Sequence, residues 1–240
     1  MFVHKAIIIG ASSGIGRELA KVLAKNGYSL GLVGRRIDLL LSLQQEVAVS
    51  SFTKQIDVSQ SSQAMHLLQE LIHQMNGVDL VVISSGVGFI NTDLEWEKEI
   101  SAISVNVTGF AAMANVAMEH FIAQGSGHLV GISSIAALRG GESSPAYAAS
   151  KAFVSNYLEG LRKKVVKLHL SITVTEILPG FVDTAMAQGE GLFWVAPAEK
   201  AAQQIFRVIK SRKNHACVTK RWCAVAWLLK VLPDVIYLRL

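Results

Sequence analysis

A short apolar run, Ala6-Ile7-Ile8-Ile9, empties straight into the glycine-rich turn Gly10-Ala11-Ser12-Ser13-Gly14-Ile15-Gly16, and a helical pattern begins at once. A strand that gives way directly to a helix has no hairpin partner; its successor returns by a crossover and lies parallel to it. The rest of the chain repeats this alternation. Strands are expected at residues 6–9, 29–33, 51–55, 80–84, 128–133, 171–177 and 216–219. Apolar residues recur at helical spacing over 15–25, 38–47, 61–75, 96–124 (read as two helices), 145–168 and 197–210. The expectation is one α/β, doubly wound domain over residues 1–240, a seven-stranded parallel sheet with helices on both faces.

Composition supports that reading. Hydrophobic residues make up 51% and charged residues 17% of the 240, against about 25% charged in an average soluble chain, so a large core forms and a disordered tail protein is excluded. The longest apolar candidate, at the C-terminus, is interrupted by Lys230, Pro233, Asp234 and Arg239 and falls short of the roughly 18 residues of a spanning helix. An ordinary transmembrane protein is not expected, and the start of the chain carries no export-signal pattern. Cys217 and Cys223 are the only cysteines and sit outside any metal-ligand spacing, so neither a disulfide framework nor a metal site is expected. A cytoplasmic setting fits.

Charge is unevenly placed. Residues 1–120 hold 8 Lys+Arg and 11 Asp+Glu, residues 121–240 hold 15 and 7, and from residue 200 onward nine cations face the single acid Asp234. No basic recognition helix, zinc-finger spacing or aromatic RNA-binding motif accompanies the excess, and a nucleic-acid partner is not expected.

Two chemistries claim the glycine turn. Glycines let the backbone approach a pyrophosphate, which the free N–H groups and the positive helix end favour. The same residues also spell Gly10-x-Ser12-x-Gly14, a nucleophile-elbow pattern, with Asp183 and His215 following in hydrolase order. Against that, an elbow normally follows several strands, and this turn follows the first. A purely structural turn is the third reading.

A second constellation decides between them. Tyr147-Ala148-Ala149-Ser150-Lys151 puts a phenol and an ammonium four residues apart, on one helical face, and Ser134 stands thirteen residues before Tyr147, beyond the apolar run 129–132. Together with the turn, this pattern resembles the short-chain dehydrogenase/reductases of the roughly 250-residue type, a Rossmann-type family. Gly10, Gly14 and Gly16 are similar to its glycine motif, with Ser12, Ser13 and Ile15 within the turn. Asp57-Val58 resembles the pair that contacts adenine, and Asn106, Ser134, Tyr147 and Lys151 resemble the catalytic tetrad. Pro179-Gly180-Phe181-Val182-Asp183-Thr184 is similar to the segment that holds the nicotinamide carboxamide. Two departures occur together: Ile9 stands where the family has Thr, and Ile83-Ser84-Ser85-Gly86 where it has Asn-Asn-Ala-Gly. The sheet is expected to survive the exchange, since paired replacement of polar by apolar groups can be nearly neutral, with the cofactor contacts at Ser85 and Gly86 retained.

The resemblance implies a hydride transfer between a nicotinamide cofactor and a carbonyl or alcohol. Tyr147 would serve as general acid/base, its pKa lowered by Lys151 and the oxidised nicotinamide. Ser134 would hold the carbonyl oxygen, Lys151 the nicotinamide ribose, and Asn106 would bend its helix and hold a water beside Lys151. It also implies a homo-oligomer, a dimer or tetramer. Where an NAD enzyme presents an acid after the second strand, this chain reads Gly34-Arg35-Arg36, and guanidinium groups suit the 2′-phosphate of NADP(H); the competing reading pairs them with Asp38 on a solvated loop.

Only twelve residues, 185–196, separate Thr184 from Pro197, which implies a short lid and an open pocket, with Met186, Phe193 and Trp194 as candidate lining. The tail at about 212–240 is apolar and basic, with 15 apolar residues among the 19 from Trp222 onward. Its composition fits docking over the substrate pocket, a subunit contact or a peripheral membrane contact, with the first two together weighted above the third. Besides the reductase, an NADPH-binding sensor without turnover and a serine hydrolase using Ser12 remain as function classes.

Overall fold

The computed structural model describes residues 4–186 and 193–239. Its strands are β1 (Lys5–Ile9), β2 (Ser29–Gly34), β3 (Ser51–Gln55), β4 (Leu80–Ile83), β5 (Ser126–Ile132), β6 (Ser171–Pro179), β7 (Val182–Asp183), β8 (Ala196–Pro197) and β9 (His215–Val218). Seven of them form one parallel sheet in the order β3-β2-β1-β4-β5-β6-β9, and β7 pairs with β8 alone. Helices α1 (Gly14–Lys25), α2 (Ile37–Val47), α3 (Ser61–Gln74), α4 (Trp96–Ile103), α5 (Phe110–Gln124), α6 (Pro145–Leu168) and α7 (Ala198–Lys210) link the strands. The tail adds α8 (Trp222–Val231) and α9 (Asp234–Tyr237).

The strands read as continuous apolar runs because both faces of the sheet are covered. Side chains alternate across β1: Ile7 and Ile9 join a core with α3, α5 and α6, while Ala6 and Ile8 join a second core with α1, α2 and α7. The two departures from the family pattern meet each other, since Ile9 and Ile83 are register partners on adjacent strands and both are wholly buried. The pair is apolar, and beside it the Ser84 N–H donates to the Ile9 carbonyl at 2.8 Å.

One expectation is corrected. Residues 96–124 are not two helices but one helical run whose middle, Ser104–Gly109, is a π-helical turn between α4 and α5. By length and apolarity this run could cross a membrane, yet 56% of its most apolar window is buried, as befits a core helix. Strand order reverses between β1 and β4, which run side by side although two strands separate them in sequence. In open α/β sheets the crevice beyond the strand ends at such a switch point is where ligands bind.

Candidate active site

The glycine turn lies in that crevice. Gly10 has φ +94°, and a Cβ there would fall 2.6 Å from the Ser85 nitrogen, so only glycine lets the ends of β1 and β4 approach this closely. A Cβ on Gly16 would meet the Gly10 carbonyl oxygen at 2.2 Å, and one on Gly14, at φ +55°, would stand 3.0 Å from the Thr184 methyl. The turn is thus a tight backbone cradle at the start of α1, closed from the far side by the segment after β6. No ion pair joins Asp38 with Arg35 or Arg36 among the described residues. Arg36 instead donates through Nη2 to both hydroxyls of the turn, Ser12 at 2.9 Å and Ser13 at 2.7 Å. Arg35 is exposed, its carbonyl accepting from Gln55 at 2.8 Å. Asp57 accepts from the N–H and hydroxyl of Ser59 at 3.0 and 2.8 Å, and Val58 packs against Gly109 of the π-turn.

The residues expected to form a tetrad converge beside the cradle. Ser134 follows β5 and caps a 3₁₀ turn, Ile135–Leu138, by accepting from the Ala136 N–H at 3.1 Å. Pro145 occupies the first helical position of α6, where its missing N–H costs nothing, and four-residue spacing then stacks Tyr147 over Lys151. The Tyr147 phenol stands close enough to the Ser134 hydroxyl for that group to draw its pKa down, and the Lys151 ammonium lies 5.8 Å from the centre of the Tyr147 ring. Lys151 is buried and donates to the Ile132 carbonyl at 3.0 Å; burial pulls its pKa from 10.5 down to about 8. The expected lowering of Tyr147 is not seen in the chain by itself: burial pushes the phenol up, and the neighbouring Ser134 hydroxyl pulls back only part of the way.

Asn106, in the π-turn, is 1% exposed. Its Oδ1 accepts from the Val87 N–H at 2.9 Å, and its Nδ2 donates to the Val87 carbonyl at 2.8 Å and to Ser150 Oγ at 3.0 Å. The Ser150 hydroxyl in turn donates to the Tyr147 carbonyl at 2.7 Å. One amide therefore ties the loop after β4 to the helix that carries Tyr147 and Lys151. A Cβ on Gly86 would lie 3.3 Å from both Asn106 Oδ1 and Lys151 Nζ, and one on Gly88 3.1 Å from the Tyr147 ring.

The sequence reading missed Val87, Gly88 and Ser150. The paired glycines flanking Val87 were its available signal, since glycine in a loop after a strand often marks a close approach. It also missed Ser133, whose hydroxyl donates to the Lys151 carbonyl at 3.0 Å.

Other expectations fall differently. Ser12 is bonded to Arg36, while the His215 ring nitrogen Nδ1 faces Glu176 Oε2 at 3.0 Å, so no hydrolase base meets Ser12. Met186 lies near Gly86 and Gly88, but Phe193 and Trp194 pack on Trp222, with ring centres 5.1 and 6.0 Å away. Residues 187–192 of the expected lid lie outside the described residues. Gly180 touches the same tryptophan, where a Cβ would fall 2.2 Å from its ring.

A glycine cradle at the switch point beside a Ser-Tyr-Lys-Asn cluster matches the resemblance seen in the sequence, and comparison with known proteins establishes it. The family model described as short chain dehydrogenase matches residues 4–192, and the chain belongs to this family, whose members here are oxidoreductases. It is 37% identical over 191 residues to an uncharacterized oxidoreductase of Myxococcus xanthus, covering 78% of this chain and 75% of that one. Among solved structures it resembles a short chain dehydrogenase/reductase of Burkholderia phymatum in complex with NAD, at TM-score 0.84 and 23% identity, covering 95% and 94% of the two chains. It also resembles a short-chain dehydrogenase of Sphingobium yanoikuyae in complex with NADPH, at TM-score 0.78 and 23% identity, covering 96% and 97%. At that identity the likeness speaks for the fold.

Proposed function

We propose that the chain is an NADP(H)-dependent carbonyl reductase or alcohol dehydrogenase acting on a small molecule. Residues 1–240 would work as one catalytic unit, in the cytoplasm and as a homo-oligomer. The observation that carries this reading is the convergence of the Tyr147 phenol with the Ser134 hydroxyl and the buried Lys151 ammonium, set next to the cradle. The cradle fits a dinucleotide: the turn closes to backbone contact at Gly10 and Gly16, and the buried Ser85 hydroxyl has no hydrogen-bond partner among the described residues.

In this reading Gly10, Ser12, Ser13, Gly14, Ile15 and Gly16 hold the pyrophosphate. Asp57 and Val58 hold the adenine, Ser85 and Gly86 the inner ribose side, and Pro179, Gly180, Val182 and Thr184 the carboxamide. The bound nicotinamide supplies or accepts the hydride. Tyr147 Oη gives its proton to the carbonyl oxygen during reduction and takes it back during oxidation. Ser134 Oγ donates a second hydrogen bond to that oxygen and so stabilises the charge developing on it. Lys151 holds the ribose hydroxyls and, as a buried cation, favours the phenolate that Tyr147 becomes; burial alone would oppose it. Asn106 keeps the two halves of the site in register. Arg36 supports NADP(H) over NAD(H), because its guanidinium spans the turn where a 2′-phosphate would add charge-assisted hydrogen bonds.

The test is loss of NADPH absorbance over a panel of aldehydes, ketones, 3-oxoacyl esters and steroids, with Tyr147→Phe alongside. Turnover that falls at least about 100-fold in the variant is expected for loss of a general acid. Tight NADPH binding with no turnover on any substrate would favour a sensor, and a variant as active as the parent would remove Tyr147 from the mechanism.

A further inference from the structure

Helix α8 is apolar apart from Lys230, yet only one side is packed. Trp222 and Ala226 are buried and Val225 and Leu229 half-buried, while Cys223, Ala224, Trp227, Leu228 and Val231 face outward. Trp227 is 67% exposed, and Leu238, beyond α9, is 82% exposed, with Val235 and Ile236 also open to solvent. A surface helix ordinarily turns polar residues outward, and this one turns out a single lysine, Lys230, among apolar side chains.

The segment is nonetheless fastened down. Arg139 donates to the carbonyl of Leu229 at 2.9 Å, to that of Leu232 and to the Asp234 carboxylate at 2.7 Å, while Tyr237 Oη donates to the Gly140 carbonyl at 2.5 Å. Phe193 and Trp194 extend the apolar surface, packed against Trp222 with one ring tilted and the other edge-on.

Charge decides what covers this face. Lys220, Arg221, Lys230 and Arg239 border it, all exposed, and the only acid from residue 211 onward is Asp234, whose carboxylate is already engaged by Arg139. A two-fold contact between copies would set the same patch against itself, cation facing cation with no free acid in the segment to answer. An anionic lipid surface answers both features, since it solvates the outward aromatic and aliphatic side chains and attracts the basic rim.

We propose that α8 and the residues around α9 form a docking face for an anionic membrane, on which the enzyme lies peripherally. The apolar side chains enter the boundary between headgroups and acyl chains, and the lysine and arginine heads stay at headgroup level. This inference stands apart from the reductase reading and is tested without turnover.

Full-length protein is floated with vesicles of phosphatidylcholine alone and with a roughly 2:1 mixture of phosphatidylcholine and phosphatidylserine. Two double variants accompany it, Lys220→Gln/Lys230→Gln and Trp227→Ser/Leu228→Ser, with thermal melting to confirm that both remain folded. The parent should float with the anionic vesicles and detach as salt rises. At roughly five-fold per cation, the lysine variant should partition about 30-fold more weakly, and the apolar variant should stay in solution. A parent that floats with neither vesicle, or equally with both and regardless of the lysines, overturns the proposal. So does a Trp227→Ser/Leu228→Ser protein that floats like the parent but sediments as a smaller species, which would assign the face to a second copy.

Discussion

Replacing Lys151 by methionine should make the nucleotide-free protein more stable at neutral pH while disabling it. Burial lowers the Lys151 pKa from 10.5 to about 8, and at about 1.4 kcal/mol per pKa unit this amounts to about 3 kcal/mol. The sign follows from proton counting. Below pH 8 both folded and unfolded chains carry the proton, and the folded state bears the full cost of an ammonium in an apolar setting. Between pH 8 and 10.5 the folded state sheds its proton first, and the wild-type protein gains stability as pH rises. Methionine fills nearly the same volume and carries no charge, so the cost vanishes. It leaves the Ile132 carbonyl without its donor at 3.0 Å, which costs about 1 kcal/mol. The net gain at pH 7 is about 2 kcal/mol, or a rise of about 4–8 °C in Tm for a chain of this size. Urea unfolding of both proteins at pH 7 and pH 10 checks it: the variant should lead at pH 7 and lose its lead by about pH 10. A variant less stable at pH 7, or a gap that ignores pH, would refute the claim that the folded chain carries a strained ammonium here. Turnover should fall at least about 100-fold, separating what stabilises this site from what makes it work.

Arg36→Ala removes the guanidinium that bridges Ser12 and Ser13. NADPH binding should weaken about 10- to 100-fold with NADH binding unchanged, as expected for lost charge-assisted hydrogen bonds; calorimetric titration with each nucleotide reads the difference, and equal losses for both would remove the NADP(H) preference. His128 is buried, its Nε2 lying 2.8 Å from the Thr175 hydroxyl, and burial lowers its pKa from 6.5 to about 4. Its neutral form is favoured in the folded chain, so stability should be intact above pH 6.5 and drop by about 3 kcal/mol as pH falls to 4. A His128→Gln protein whose acid unfolding is just as steep would place that loss elsewhere.

The sheet was legible because its strands are short, apolar on both faces and punctuated by glycine. Residues 51–55 were placed correctly despite half-exposed side chains, since the alternation around them left no other role. Ser134, Tyr147 and Lys151 were legible as a pattern because helical spacing puts the last two on one face. What escaped was structure that periodicity does not encode. The π-turn leaves an apolar helical pattern looking unbroken, and Asn106 shows its reach only once Val87 and Ser150 are placed around it in space. The upward push that burial gives Tyr147 in the chain by itself also escaped, because burial is a property of the assembled site. Arg139 reads in sequence as an ordinary loop cation, and its grip on the C-terminal segment spans some ninety positions.

The π-turn carries a consequence for insertions and deletions. An α-helix advances about 100° per residue, and a π-turn accommodates one residue more than the regular helix around it. Deleting one residue between 104 and 109 would let the run close into uninterrupted α-helix, a locally comfortable outcome. The widened turn absorbs that extra residue, so α4 and α5 would keep nearly their present bearings, while the residues of the turn itself would be re-aimed and Asn106 would lose its aim at Val87. Length here is set to the single residue, just as Asn106 and the close approach of Gly109 to Val58 set its composition.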